Sequence, residues 1–214
     1  EQGMELVEEM YKRAAKEVLG TLKFKTHGFE VDFGKEWKRL DYSQEIKKQT
    51  GVDIWKANEK DIIKKLKELK QDYDPNVDKW RLVDTLWKYC RKNIAGPCFV
   101  INPPVEISPL AKRSPKNINV VERYWVLFAG SEIGNGYSEL NDPVDQEMRF
   151  EKQEELKEKG DEEAQMNDIE FVEALKYGMP PTTGFGTSER LFAYLVDKPM
   201  RECVIFPLLK PQKK

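Results

Sequence analysis

A single histidine, His27, serves the whole 214-residue chain. A serine or cysteine triad built on an imidazole base therefore finds no support. Three cysteines, Cys90, Cys98 and Cys203, form neither a CxxC pair nor a zinc spacing. They read as buried or idle thiols in a reducing compartment. No apolar run approaches the roughly 18 residues that a membrane span needs, and no signal peptide is visible. That pattern predicts a cytoplasmic chain with no membrane partner. An excess of one charge is lacking too: 36 basic against 38 acidic side chains leave a net charge of -2. Such a balance gives no bulk electrostatic case for nucleic acid, although local patches stay open. Internal repeats and linker-like segments are also missing, which argues for one α+β unit.

What is present is a sequence of well-punctuated elements. Leu6, Val7, Met10, Tyr11, Ala14 and Val18 follow a 3.6 period, and Gly20 sits where a C-terminal cap belongs. The chain opens at Glu1 and enters this helix at once, so the reading expects a segment upstream. Leu22 to Phe33 reads as a hairpin around His27-Gly28, which makes His27 a turn residue. Asp41 opens a short helix ended by Gly51. Asn58 to Leu69 is a Lys-rich amphipathic helix whose lysines read as a solvated face, with RNA contact as the sharper alternative. After a break at Asp74-Pro75-Asn76, a helix buries Trp80, Val83, Leu86, Trp87, Cys90 and Ile94, and Gly96-Pro97 ends it. Cys98 to Ile101 is an apolar strand, and Pro103 to Arg113 a rigid proline-rich segment fit to wall a pocket. Residues 114–119 read as a polar turn, and Val120 to Ala129 as a central strand apolar on both faces.

The stretch Glu132-Ile-Gly-Asn-Gly-Tyr-Ser-Glu-Leu-Asn-Asp142 carries the chemistry. A strand's period of two puts Ile133, Asn135, Tyr137 and Glu139 on one face. Gly134, Gly136 and Ser138 take the other, which is almost bare backbone. Glycine inside a strand weakens it and often marks a bulge or a close approach. An exposed strand with a polar outer face is the plainer reading of the same pattern. Asp142-Pro143 caps a highly charged helix that runs to Lys159, and its surface reads as solvated. Asp168 caps another, with Ile169, Val172 and Leu175 inward.

Farther on, Gly184-Phe-Gly186 leads into an apolar helix from Leu191 to Val196. Such a loop is a candidate nucleotide cradle, because glycines admit close approach and a helix start presents free amides. It is neither a P-loop nor a dinucleotide-binding fingerprint. Arg190 adds a planar cation able to stack on a base or bind phosphate. A surface pair with Glu189 or Asp197 is its bland alternative.

These segments together resemble the class II lysyl-tRNA synthetases. The run Glu132 to Gln146 is similar to that family's lysine-binding region. Phe150 to Gly160, Gly160-Asp-Glu-Glu-Ala164 and Phe171 to Pro181 continue the register. Gly184-Phe-Gly-Thr-Ser-Glu-Arg190 resembles the third signature motif, and Val204-Ile-Phe-Pro207 the terminal strand and turn. Upstream, Asp32-Phe-Gly34 and Val105-Glu-Ile-Ser-Pro-Leu-Ala111 match as well. The resemblance covers essentially the whole chain. It implies an α+β fold, an antiparallel sheet flanked by helices, with ATP and amino acid on one face.

Residue by residue, the resemblance implies that Glu139 pairs with the substrate ε-ammonium and Asn135 meets its carboxylate, with Tyr137 beside them. Glu132 is expected to bind ATP through Mg2+, Gly184 and Gly186 to lie in the ATP-binding stretch, and Arg190 to lie along the adenine and γ-phosphate. The implied partners are lysine and tRNA(Lys), with a homodimer in the complete enzyme. The implied chemistry is in-line attack of a carboxylate on the α-phosphate, which needs no general base and so suits a chain nearly free of histidine.

Two departures stand against this pattern. Trp125 falls seven residues before Glu132, where the family usually has a second metal-binding carboxylate, and the third motif is one residue shorter than its commonest form. In this reading residues 1–214 are the C-terminal portion of the catalytic domain, with the anticodon-binding barrel and first two signature motifs lying before Glu1. The chain alone is then expected to be inactive or nearly so. A synthetase-like paralogue, either a protein lysyl transferase or a non-catalytic partner module, is the alternative. Finally, Glu132 and Asn135 are three residues apart and fall on opposite faces of a regular strand. Their implied roles share one face, which predicts a β-bulge between them, most naturally at Gly134.

Overall fold

The computed structural model describes residues 1–75, 77–158, 160, 164 and 166–207. Helix α1 (Gln2–Leu19) leads into strands β1 (Lys23–Thr26) and β2 (Phe29–Asp32), then β3 (Lys38–Asp41). Helices α2 (Tyr42–Thr50), α3 (Glu59–Glu68) and α4 (Lys79–Arg91) follow, and then strand β4 (Cys98–Ile101). A 3-10 turn (Val105–Ile107) precedes β5 (Arg113–Ser114), β6 (Asn117–Val121), β7 (Arg123–Phe128) and β8 (Ser131–Ser138). The last elements are α5 (Pro143–Glu158), α6 (Ile169–Lys176), β9 (Thr183–Thr187), α7 (Arg190–Leu195) and α8 (Met200–Cys203).

Local chemistry explains where the helices begin and end. Asp41, Asn58, Asp78 and Asp168 each accept a backbone N–H of the first turn. Such a cap contributes about 1 kcal/mol. Gly20 and Gly51 close α1 and α2 in the left-handed conformation that glycine adopts without strain. The His27-Gly28 turn has positive φ at both residues, as a two-residue hairpin requires. His27 then stacks flat on Tyr194 with ring centroids 3.9 Å apart, which ties the hairpin to α7.

The main sheet has the order β3-β4-β7-β8-β9. Its β3–β4 pair is parallel and its other neighbours are antiparallel. Strand β7 alternates between two cores, as a strand buried on both faces must. Tyr124, Val126 and Phe128 join a cluster with Val7 and Tyr11 of α1, Phe33, and Leu191 of α7. Trp125 and Leu127 join another with Ile46, Ile62, Leu86 and Trp87 from α2, α3 and α4. Strands β4 and β7 are thus sandwiched, with one face toward each helical layer, while β9 is exposed along its length.

Several expectations shift. The central strand starts at Arg123, because β5 and β6 pair as a hairpin through residues read as a polar turn. In α1 the inward stripe is Met4, Val7, Tyr11 and Ala15, while Leu6, Met10 and Val18 face outward. Ile169 is exposed, since Val172 and Leu175 take the packed face of α6. Helix α5 is more than a solvated rod. Its Arg149 is buried and donates to Asp145 and to the carbonyls of Ser108 and Ala111. The Gly-Phe-Gly stretch is an edge strand, β9, rather than a loop, and its 6-residue helix starts at Arg190. Val204, Ile205 and Phe206 form bends in place of the expected terminal strand. The expected breaker Asn76, the helix end at Lys159 and the inner residues of the Gly160–Ala164 turn lie outside the described residues.

Candidate functional site

The site is organised by a shift in the β7–β8 register. Val126 pairs with Gly134, but Leu127 pairs with Glu132, so Ile133 is the extra residue on β8. The bulge falls inside the expected interval, one residue before Gly134. Its cause is packing: the Ile133 side chain is fully buried in the core against α1. Its carbonyl, which has no partner on β7, accepts the Ser188 N–H at 2.7 Å and the Tyr11 hydroxyl at 3.1 Å. A bulge is thereby satisfied from two other elements, as a buried carbonyl must be.

The extra residue puts Glu132 on the same face as Asn135 and Tyr137. Their partners across the ladder are Leu127, Trp125 and Arg123, which all point to the α2–α4 side. Glu139 continues this face one residue past the end of β8 and bridges Ala111. The glycines explain the opposite face. A Cβ on Gly134 would stand 2.6 Å from the Tyr11 hydroxyl, and one on Gly136 2.4 Å from that of Tyr124. Bare backbone is what lets these two tyrosines pack.

Each polar group on the site face has a defined setting. Glu132 Oε1 accepts the Trp87 indole N–H at 2.8 Å and lies 3.9 Å from the Arg91 Nε. Arg123 donates to Ser108 Oγ at 3.0 Å and to Asn135 Oδ1 at 3.4 Å. Its guanidinium carbon lies 4.8 Å from the Trp125 ring centroid and 5.8 Å from that of Tyr137. Burial pulls Arg123 below the usual arginine value. Burial also pushes the Glu139 carboxyl up, and it raises the Tyr137 phenol with help from the Glu139 charge.

Across the sheet, Gly184 pairs with Tyr137 and Gly186 with Asn135. A Cβ at Gly184 would meet the Glu139 carboxylate at 3.7 Å, and one at Gly186 would meet nothing within 4 Å. Edge strand β9 therefore leaves the surface beside Asn135 and Tyr137 low and open. Arg190 is exposed at the start of α7. The fold gathers Glu132, Asn135, Tyr137 and Glu139 on one face, with Gly184 and Gly186 beside them on β9.

Among the described residues no group of three or more His, Cys, Asp or Glu side chains could hold a metal ion. Trp125 contributes a ring where a carboxylate was expected. The contacts to Glu132 both involve Oε1. Glu132 could therefore give one hard oxygen donor to a cation such as magnesium, but the described residues form no all-protein cage.

The family described as tRNA synthetases class II (D, K and N) matches residues 1–210. The chain belongs to this family. A lysine–tRNA ligase of Thermotoga maritima is 42% identical over 212 residues, covering 98% of this chain and 42% of that relative. Those of Porphyromonas gingivalis and Roseiflexus castenholzii are 39% and 41% identical, with 37% and 44% of each relative covered. The chain thus spans about two fifths of the length of these relatives.

In this synthetase domain the residues that sequence reading missed are Arg123, Trp87, Arg91 and Ser108. Trp87 fits the buried stripe of α4, so only its indole partner reveals a second task. Arg123 carried one legible signal, a lone cation opening a strand otherwise apolar. A separate concavity of about 860 Å³ is lined by Trp80, Pro109, Arg113 and Asp145. It includes none of the predicted site residues, and the proline-rich segment walls this concavity through Val105 and Pro109.

Proposed function

We propose that the protein carrying this chain is a lysine–tRNA ligase, and that residues 1–214 are the C-terminal portion of its catalytic domain. The observation that carries the reading is the Ile133 bulge, which brings Glu132, Asn135, Tyr137 and Glu139 to one face. Asn135 and Glu139 are four strand residues apart, about 13 Å between Cα atoms. An extended lysine with a hydrogen bond at each end fits such a span. In this proposal Glu139 takes the ε-ammonium, Asn135 the carboxylate, and Tyr137 flanks the aliphatic stem. The half-desolvated setting of Glu139 strengthens its attraction for a cation.

ATP lies on the same face in this reading, over the open strip left by Gly184 and Gly186, with Arg190 along the adenine and γ-phosphate. Glu132 would hold Mg2+ together with the phosphates. The ion supplies neutralisation of phosphate charge. The chain's own residues bind and orient: the lysine carboxylate is held for in-line attack on the α-phosphate, giving lysyl-adenylate and pyrophosphate. The lysyl group then passes to a hydroxyl of tRNA(Lys), and AMP leaves. Positioning and charge complementarity account for the acceleration without a general base. A homodimer and a cytoplasmic setting complete the proposal; among the described residues no helix is long and apolar enough to cross a membrane.

The test is lysine-dependent ATP–pyrophosphate exchange and tRNA charging by the full-length protein. Exchange with lysine and charging of tRNA(Lys) support the ligase. Failure of both overturns it. The 214-residue chain by itself is proposed to be slower by on the order of 10²–10³ or more, the usual cost of a missing transition-state contact. Trp125 favours a second reading, a synthetase-like paralogue. Exchange without tRNA charging would indicate a protein lysyl transferase, and neither activity a partner module.

A further inference from the structure

Arg123 is held on the site face by hydrogen bonds from its Nη1 and Nη2 and by two aromatic rings, while its Nε is buried without a partner among the described residues. It enters from β7 opposite Tyr137 and lies over the Trp125 ring on its own strand. The segment before β5 anchors it, since Nη1 donates to Ser108 Oγ at 3.0 Å and to the Ile107 carbonyl at 3.5 Å. Nη2 is left to face Asn135 Oδ1 at 3.4 Å. Three separate pieces of the fold hold one guanidinium so that a single N–H edge meets one amide.

That contact decides which way the amide points. A guanidinium offers donors and no acceptor, so only the oxygen end of Asn135 can face it. The amide nitrogen is then turned away, with two N–H donors directed off the arginine. Asn135 pairs with Gly186, whose missing side chain keeps the neighbouring surface clear. An asparagine without this constraint would present oxygen or nitrogen according to its next partner. Charge follows the same axis: a cation lies beneath Asn135, while the Glu139 carboxylate lies beyond Tyr137. The face is therefore polarised, positive where an α-carboxylate would sit and negative where a side-chain ammonium would.

We propose that Arg123 is a positioning residue for the amino-acid substrate, locking the Asn135 amide with its nitrogen outward so that it donates to the substrate carboxylate. The proposal rests on the lysine reading above. Arg123 touches Asn135 and the two rings; it is not assigned a contact with substrate.

The experiment compares lysine with 1,5-diaminopentane, which is lysine without its carboxylate, as ligands of the full-length protein by competition in the exchange reaction. Arg123→Lys keeps the charge but loses the planar fork. It is expected to weaken lysine about tenfold, the value of one hydrogen bond to a charged group, and diaminopentane less than about twofold. The KM for ATP stays within about twofold on the same reasoning, since only the lysine carboxylate contact changes. In an Asn135→Ala background, Arg123→Lys adds no further loss, because its action passes through that amide. If Arg123→Lys does not fold, Ser108→Ala loosens the same guanidinium, with an expected loss of about threefold for lysine alone. Equal weakening of both ligands, no weakening of either, or additive losses with Asn135→Ala would overturn the proposal while the lysine reading stands. A wild-type protein indifferent to lysine would overturn both.

Discussion

Trp87 donates its indole N–H to the Glu132 carboxylate at 2.8 Å, so a core residue of α4 aims an acid on β8. Trp87 is fully buried against Tyr42 and the rest of that cluster. One side chain therefore serves both the core and the site. Trp87→Phe is expected to keep the fold at a cost of about 1–3 kcal/mol for the space vacated. Glu132 would then lose its fixed orientation, and the full-length protein should need more Mg2+ for half-maximal exchange with lysine affinity unchanged. A magnesium titration with the wild-type midpoint would sink this link.

Gly136 is a packing requirement set by Tyr124. A Cβ there would stand 2.6 Å from the tyrosine Cζ and 2.8 Å from the Gly184 carbonyl, besides its clash with the hydroxyl. Gly136→Ala should cost about 2 kcal/mol or more in urea unfolding, as overpacking against backbone does. Adding Tyr124→Phe should not restore it, because the ring and carbonyl contacts remain. Tyr124→Phe alone is expected to be neutral or stabilising by up to about 1 kcal/mol, since among the described residues its buried hydroxyl has no hydrogen-bond partner. Full rescue in the double variant would contradict this geometry.

Glu139 supplies a pH signature. Burial raises its carboxyl above the ordinary glutamate value. The folded chain thus holds that proton more tightly than the unfolded chain, so ionisation costs stability at higher pH and protonation regains it as pH falls. In the proposed reading, lysine binding needs the ionised form. Affinity should therefore decline on acidification at a higher pH than for a free glutamate. Glu139→Gln should abolish that limb and weaken lysine far more than ATP, by about 1.5–3 kcal/mol for a hydrogen bond to a charged group. A loss of less than about threefold in lysine affinity would place Glu139 outside the pocket.

Asp145 shows the opposite sign. Burial pushes its carboxyl up, but hydrogen bonds from Arg149 and Arg113 outweigh this and hold it low. Its contribution to stability is present above the unfolded aspartate value and is lost as pH falls through the lowered folded value. Asp145→Asn should flatten the acid side of the stability profile measured by urea midpoints. Arg149→Met should cost about 1–3 kcal/mol near neutral pH, because the Ala111 carbonyl loses its donor while Asp145 keeps Arg113. An unchanged midpoint for Arg149→Met would remove this network from the account.

The elements themselves were largely legible. Asp41, Asn58 and Asp168 announce helix starts, Gly20 and Gly51 announce ends, and the unbroken apolar runs Cys98 to Ile101 and Tyr124 to Ala129 announce strands buried on both faces. These signals are local, carried by one side chain meeting its own backbone. The hairpin of β5 and β6 was hidden because Asn117 and Asn119 are polar and Ile118 between them is exposed, so no burial pattern marks them as strand.

By itself the sequence determined the family, the helix boundaries and the residue types at the site, because motif spacing and capping are properties of neighbouring residues. It also required a bulge, since Glu132 and Asn135 could share a face in no regular strand. Tertiary structure alone decided where the bulge falls and what the site rests on. Ile133 became the extra residue because its side chain fills the core under α1 and its carbonyl is met by Tyr11 and Ser188, 122 residues before and 55 after it. Trp87 reaches Glu132 across 45 residues, and Arg123 reaches Ser108 from the far side of a hairpin. Contacts between distant segments depend on how layers pack, and no local period encodes them.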